Sequence, residues 1–120
     1  MLFRSRGNPQ GGAFSTAPDL LRYTLALPKL VSPETLALMM SPKVEARRVD
    51  AAIESWGYGF ELETVNGQRV MGHTGGDFGV SSAFRLYPDS GNYTLIVLSN
   101  TDRGGQVALY KLQELILFGR

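Results

Sequence analysis

One hundred and twenty residues is the size of one ordinary domain, long enough to bury one modest core without covalent staples. The chain is 43% apolar and 19% charged, with twelve basic against eleven acidic side chains and a formal net charge of +1, which reads as globular and supplies no concentrated positive field for nucleic acid or an anionic membrane. The absence of cysteine excludes disulfides and thiolate chemistry, and a single histidine, His73, leaves no expectation of a metal site or other cofactor.

From the N-terminus, Met1 to Gly12 is polar and glycine-bearing and reads as loop. It lacks the apolar core of a signal peptide, so the chain as written is expected in the cytoplasm. Thr16, Pro18 and Asp19 then form a helix start ahead of Leu20, Leu21, Tyr23, Leu25 and Leu27, with Pro28 expected to end the run. Ser32, Pro33 and Glu34 open a second helix through Leu36, Leu38, Met39 and Met40, closed by Pro42. Lys43 to Ser55 reads as a connection.

After Trp56 the pattern changes. Tyr58, Phe60 and Leu62 alternate with Gly59, Glu61 and Glu63, a period of two, and Asn66-Gly67 is a hairpin signal. Val70 to Thr74, Val80 to Tyr87 and Tyr93 to Ser99 follow as strands, the last apolar enough to predict cover on both faces. Val107, Leu109, Tyr110, Leu112, Leu115, Ile116 and Leu117 recur at helical spacing. The class is α+β, an antiparallel meander flanked by helices: loop over 1–12, mainly helix over 13–55, strands over 56–100 and a closing helix over 104–118. Trp56, Phe60 and Tyr87 are assigned to the core, and Ser81 and Ser82 to strand and turn roles.

The chemically informative stretch is Gly72-His73-Thr74-Gly75-Gly76-Asp77-Phe78-Gly79, with four glycines in eight residues. Such density lets another molecule approach the main chain closely, although a plain glycine-rich hairpin has the same composition. Asp77-Phe78-Gly79 spells the magnesium-binding tripeptide of protein kinases, but the accompanying kinase motifs are absent. Nor do the glycines end in the Gly-Lys-Ser/Thr of a phosphate loop.

Gly11-Gly12-Ala13-Phe14-Ser15-Thr16-Ala17-Pro18-Asp19-Leu20 resembles the opening of a helix in the serine β-lactamase-like family, which includes class C β-lactamases, D-alanyl-D-alanine carboxypeptidases, D-aminopeptidases and esterases. Ser32-Pro33-Glu34-Thr35-Leu36, Tyr58-Gly59-Phe60, Pro88-Asp89-Ser90-Gly91 and Val97-Leu98-Ser99-Asn100 continue the resemblance in order. His73-Thr74-Gly75-Gly76 is similar to the family's third motif, with histidine in place of the lysine of Lys-Thr-Gly. The resemblance implies an incomplete β-lactamase/transpeptidase-like fold in which His73, Thr74, Gly75 and Gly76 line the substrate cleft. His73 and Thr74 would hold the substrate's carboxylate or leaving group, and the Gly76 N–H would be one oxyanion-hole donor.

In that family the nucleophile is the serine of a Ser-x-x-Lys motif, and a second motif supplies a proton-transferring tyrosine. Neither occurs in these 120 residues. The chain is therefore expected to be a C-terminal portion of such a hydrolase, inactive alone, whose parent enzyme could be periplasmic. Two alternatives are a small binding or scaffold module that keeps the cleft wall, and an enzyme half completed by a partner chain. Missing strands beside Tyr93 to Ser99 would leave an open edge, so a homodimer or other self-association through that edge is expected, with no nucleic-acid or membrane partner.

Overall fold

The computed structural model describes Gly7, residues 11–46 and residues 54–119. The N-terminal loop reading therefore falls largely outside the described residues, as does most of the expected connection before Ser55. Two helices lead: α1 (Ala17–Leu30) and α2 (Pro33–Met39). Thr16 and Ser32 cap them, their hydroxyls accepting from the N–H of Asp19 and Thr35. Pro28 does not end α1 as expected; the helix runs on to Leu30. The ring removes the one rung that its own N–H would make to Thr24, while the next two residues remain free to pair with the turn below.

Six strands follow: β1 (Val44–Glu45), β2 (Ser55–Trp56), β3 (Glu61–Val65), β4 (Gln68–Asp77), β5 (Val80–Tyr87) and β6 (Tyr93–Ser99). They pair antiparallel in chain order, a pure meander. The α+β class and the antiparallel meander are thus those expected, with three differences. The connection before Ser55 contains β1. Tyr58 to Phe60 turns rather than extends, so β3 starts at Glu61. β4 reaches three residues further, to Asp77, than Val70 to Thr74. Asn66 and Gly67 take positive φ at the β3–β4 turn, 53° and 73°, the geometry that favours Asn-Gly in a two-residue hairpin.

Helix α3 (Gly104–Phe118) covers one sheet face. Its Leu109 and Leu117 pack with Val70, Ala83, Tyr87 and Leu95. On the other face Leu27 of α1 joins Phe60, Leu62 and Met71, with Leu36, Met39 and Met40 of α2 packed alongside. Tyr87 is fully buried, and its hydroxyl donates to Gln113 Oε1 at 2.9 Å. Burial pushes the Tyr87 phenol well above its ordinary range. β6 is less covered than its apolar sequence suggested: Leu95 is buried, but Leu98 is 43% exposed. It is the last strand of the sheet, and the helices reach only part of it.

The turn after β5 is held by Asp89, which accepts from the Arg69 backbone N–H at 2.9 Å and from Arg69 Nε and Nη2 at 3.0 and 2.7 Å. These bonds favour the charged form and hold the Asp89 carboxyl down from 3.8 to about 2. Because the folded value lies below the unfolded one, this turn's contribution to stability is present above pH 3.8 and is lost as pH falls through about 2. Carboxyl-carbon NMR should show Asp89 titrating near 2, and Arg69→Ala should return it toward 3.8.

Candidate functional site

β4 has ten residues and β3 has five. Their pairing stops at Glu61 opposite Gly72, whereas β5 continues to pair with β4 through Gly76 opposite Ser81 and Asp77 opposite Val80. Among the described residues, His73 to Asp77 therefore has a strand neighbour on one side only. An extended segment with an open edge can accept a further main chain by strand addition. Beside it lies a cleft of about 380 Å³, lined by Trp56, Glu61, His73, Thr74, Gly75, Gly76 and Gln106. All four residues singled out in the sequence are thus brought together on this wall.

Successive residues of a strand project to opposite faces. His73, opposite Phe84, stands on the α1–α2 side, and Thr74, opposite Ala83, on the α3 side. The His73 ring meets Trp56 edge-on, with centroids 5.6 Å apart. Its Nδ1 lies 2.5 Å from the Thr74 carbonyl oxygen. A carbonyl can only accept, so this contact places a proton on Nδ1, which also lies 3.9 Å from Glu61 Oε1.

Beneath the wall is a buried ionic network. Glu61, Gly72 and Arg85 are aligned across three strands on one face. Gly72 stands between the other two in register. Arg85 Nη1 donates to Glu61 Oε2 at 2.7 Å, and Arg85 Nη2 lies 3.0 Å from Glu63 Oε1. The Thr74 hydroxyl donates to Glu61 Oε1 at 2.9 Å. All three charged residues are buried. Burial raises the Glu63 carboxyl above its ordinary value, Arg85 opposes that rise, and Glu61 adds to it.

The opposite lip comes from α3. Ser81 Oγ donates to the Thr101 carbonyl at 2.7 Å and accepts the Gly105 N–H at 2.8 Å, holding the helix start against β5. Gly105 admits this approach, since a Cβ there would lie 2.9 Å from the Ser81 carbonyl carbon. The next residue, Gln106, reaches the Gly75 carbonyl with Nε2 at 3.4 Å, and its Oε1 is buried with no partner among the described residues. Ser81→Ala should leave the Gly105 donor unsatisfied and cost about 1–3 kcal/mol. Chemical denaturation would measure the loss, and NMR shifts at Gln106 and Gly75 should move with it.

Sequence reasoning missed three lining residues. Trp56 was assigned to the core, but it is partly exposed and faces His73; Phe60 and Tyr87 are core as expected. Glu61 read as the solvent side of an alternating strand and is 2% exposed. Gln106 carries no signal within an amphipathic helix; only the Ser81 anchor brings it to the cleft. Asp77 ends β4, and Phe78 and Gly79 form the tip of the β4–β5 hairpin, with Phe78 99% exposed. Among the described residues no cluster of three or more His, Asp or Glu side chains is placed to hold a metal ion, and no helix is long and apolar enough to cross a membrane.

The wall can offer backbone groups, an imidazole and a carboxylate, but the lining residues include no serine to act as nucleophile. Comparison with known proteins gives one match: the family model described as Beta-lactamase covers residues 2–118. No curated protein and no solved structure matches the chain.

Proposed function

This chain belongs to the beta-lactamase family, and from that premise we propose that it forms the strand wall of an acyl-transfer cleft in a serine hydrolase acting on a β-lactam, a D-amino-acid peptide or an ester. The observation that carries the reading is the His73–Asp77 segment: it lies on an open strand edge, borders the cleft, and bears His-Thr-Gly-Gly. In this reading the substrate lies along that edge, and the Gly76 N–H is one of the two donors that meet the developing oxyanion. Loss of one such donor costs about 3–4 kcal/mol of transition-state stabilisation. His73 and Thr74 contact the group next to the reacting carbonyl.

No Ser-x-x-Lys occurs in these residues, so in this reading the nucleophile and its activating lysine come from outside the sequence described. Alone, the chain is expected to give no turnover of a chromogenic β-lactam or nitrophenyl ester and no adduct with a fluorophosphonate. Mixed with a segment carrying Ser-x-x-Lys and the tyrosine motif, it is expected to gain both. An adduct on a serine of the isolated chain, seen by mass spectrometry, would refute the division of labour. The edge of β6 remains the proposed surface for self-association, with β5 as its one neighbour in the described sheet. A stable monomer at micromolar concentration in analytical ultracentrifugation would remove that part.

A further inference from the structure

We propose that the cleft wall is a receptor for a hydrogen-bond-donating cation, a primary ammonium group on the substrate, which contacts Glu61, Thr74 and Gln106 while a carboxylate is disfavoured there. This deepens the proposed reading of the His73–Asp77 edge as a substrate wall and rests on it.

The first argument is the direction of the hydrogen bonds. The Thr74 hydroxyl has one proton, and it goes to Glu61 Oε1. Toward a ligand Thr74 therefore offers lone pairs, not a donor. Gln106 presents a buried, unpartnered Oε1 in the same cleft. Turning its amide over would give up the Nε2 bond to the Gly75 carbonyl and set two acceptors against each other, so the network fixes the orientation. His73 has Nδ1 against the Thr74 carbonyl and 3.9 Å from Glu61 Oε1, so the proton there is turned to the wall's own acceptors and not to a ligand. Apart from the Trp56 indole N–H, the side-chain groups that the network leaves for a ligand are acceptors, and a carboxylate against them would set lone pairs against lone pairs.

The second argument is charge. Glu61 and Glu63 share one guanidinium, that of Arg85. Two carboxylates against one cation leave an excess negative charge, and Glu61 carries it to the cleft. Arg85 bonds the far oxygen, Oε2, while Oε1 is the one joined to Thr74. Charge so little exposed to water acts strongly on a ligand beside it. Trp56 adds an aromatic surface at the same wall, of the kind to which cations are drawn. The resemblance to the family suggested that His73 and Thr74 hold a carboxylate or a leaving group. Of these two, the network suits an amine-bearing group.

Trp56 is the single tryptophan of the sequence, so its fluorescence reports on this cleft alone. Benzylammonium, benzoate and benzyl alcohol would be titrated against the unaltered chain, following Trp56 emission and the His73 ring signals by NMR. Benzylammonium is expected to bind saturably and at least tenfold more tightly than benzoate. Benzoate binding as well as benzylammonium, or no saturable response to benzylammonium, overturns the inference. Glu61→Gln should weaken benzylammonium at least tenfold and narrow its margin over benzoate. Gln106→Met, which leaves the ion pairs intact, should weaken it severalfold and decides alone if Glu61→Gln does not fold. Unchanged affinity in the variants that fold overturns the inference. Turnover gained with an added Ser-x-x-Lys segment, together with a benzoate preference, would sink this inference and leave the hydrolase reading. Ammonium selectivity without turnover in any such mixture would do the reverse.

Discussion

Arg85→Met is expected to cost about 3–5 kcal/mol of folding stability near neutral pH, because it strands two buried carboxylates that share one cation. Arg85 bridges Glu61 and Glu63 at 2.7 and 3.0 Å, and all three residues have almost no access to water. A domain of ordinary size has only about 5–15 kcal/mol in hand, so the loss should be plain in urea melts. The pH dependence identifies the cause. Without Arg85, nothing opposes the rise that burial imposes on the Glu63 carboxyl, and the native state binds more protons than the unfolded chain. Stability of the variant should therefore increase as pH falls from 7 toward the ordinary glutamate range, the reverse of an acid-labile ion pair. Glu63 leans this way already, since burial raises it in the presence of Arg85. Replacing all three by apolar residues of similar volume should recover most of the loss, because a buried ion pair is favourable mainly relative to its own broken halves. If Arg85→Met melts like the parent at pH 7, the cluster is open to water and the charge argument for the cleft fails with it.

This network also marks the limit of what the sequence reveals. Thr16, Ser32 and Asn66-Gly67 are local signals, each satisfied within a few residues, and each does in the structure what its chemistry suggests. The glycines around His73 likewise announce a close backbone approach. Glu61 announces nothing. It alternates with Phe60 and Leu62 as a solvent-facing residue would, yet it is 2% exposed and bonded to Thr74 and Arg85 of two later strands. Its partner Arg85 lies 24 residues away across two hairpins. Trp56 was misassigned for a related reason: an aromatic residue at a sheet margin can pack inward or border a cleft, and only the early end of β3 leaves it beside His73. β6 shows the converse error, since apolar composition signals affinity for cover while the strand order decides how much cover exists. The backbone half of the candidate site was legible, and its acceptors, set by tertiary register, were not.

Gly72→Ala is the second large effect, and it separates two uses of glycine within five residues. A Cβ at Gly72 would lie 1.9 Å from the Phe84 carbonyl oxygen and 2.8 Å from its carbon. Those are backbone atoms of β5, so no side-chain rotation relieves the clash; the strands must part at the Gly72–Arg85 pair. A Cβ at Gly75 would meet only Ser82 Oγ, at 2.6 Å, and that hydroxyl can swing aside. At Gly76 the nearest atoms would be 3.8 and 3.9 Å away, ordinary contact. Gly72→Ala should therefore cost about 3 kcal/mol or more, Gly75→Ala clearly less, and Gly76→Ala under about 1 kcal/mol. The first should also disturb the contact between Glu61 and Arg85, its neighbours on the two flanking strands, so its effect should be less than additive with Arg85→Met. Urea melts of the three alanine variants and of the double variant supply the whole comparison. Gly72→Ala as stable as Gly76→Ala would mean that β4 and β5 do not approach as described.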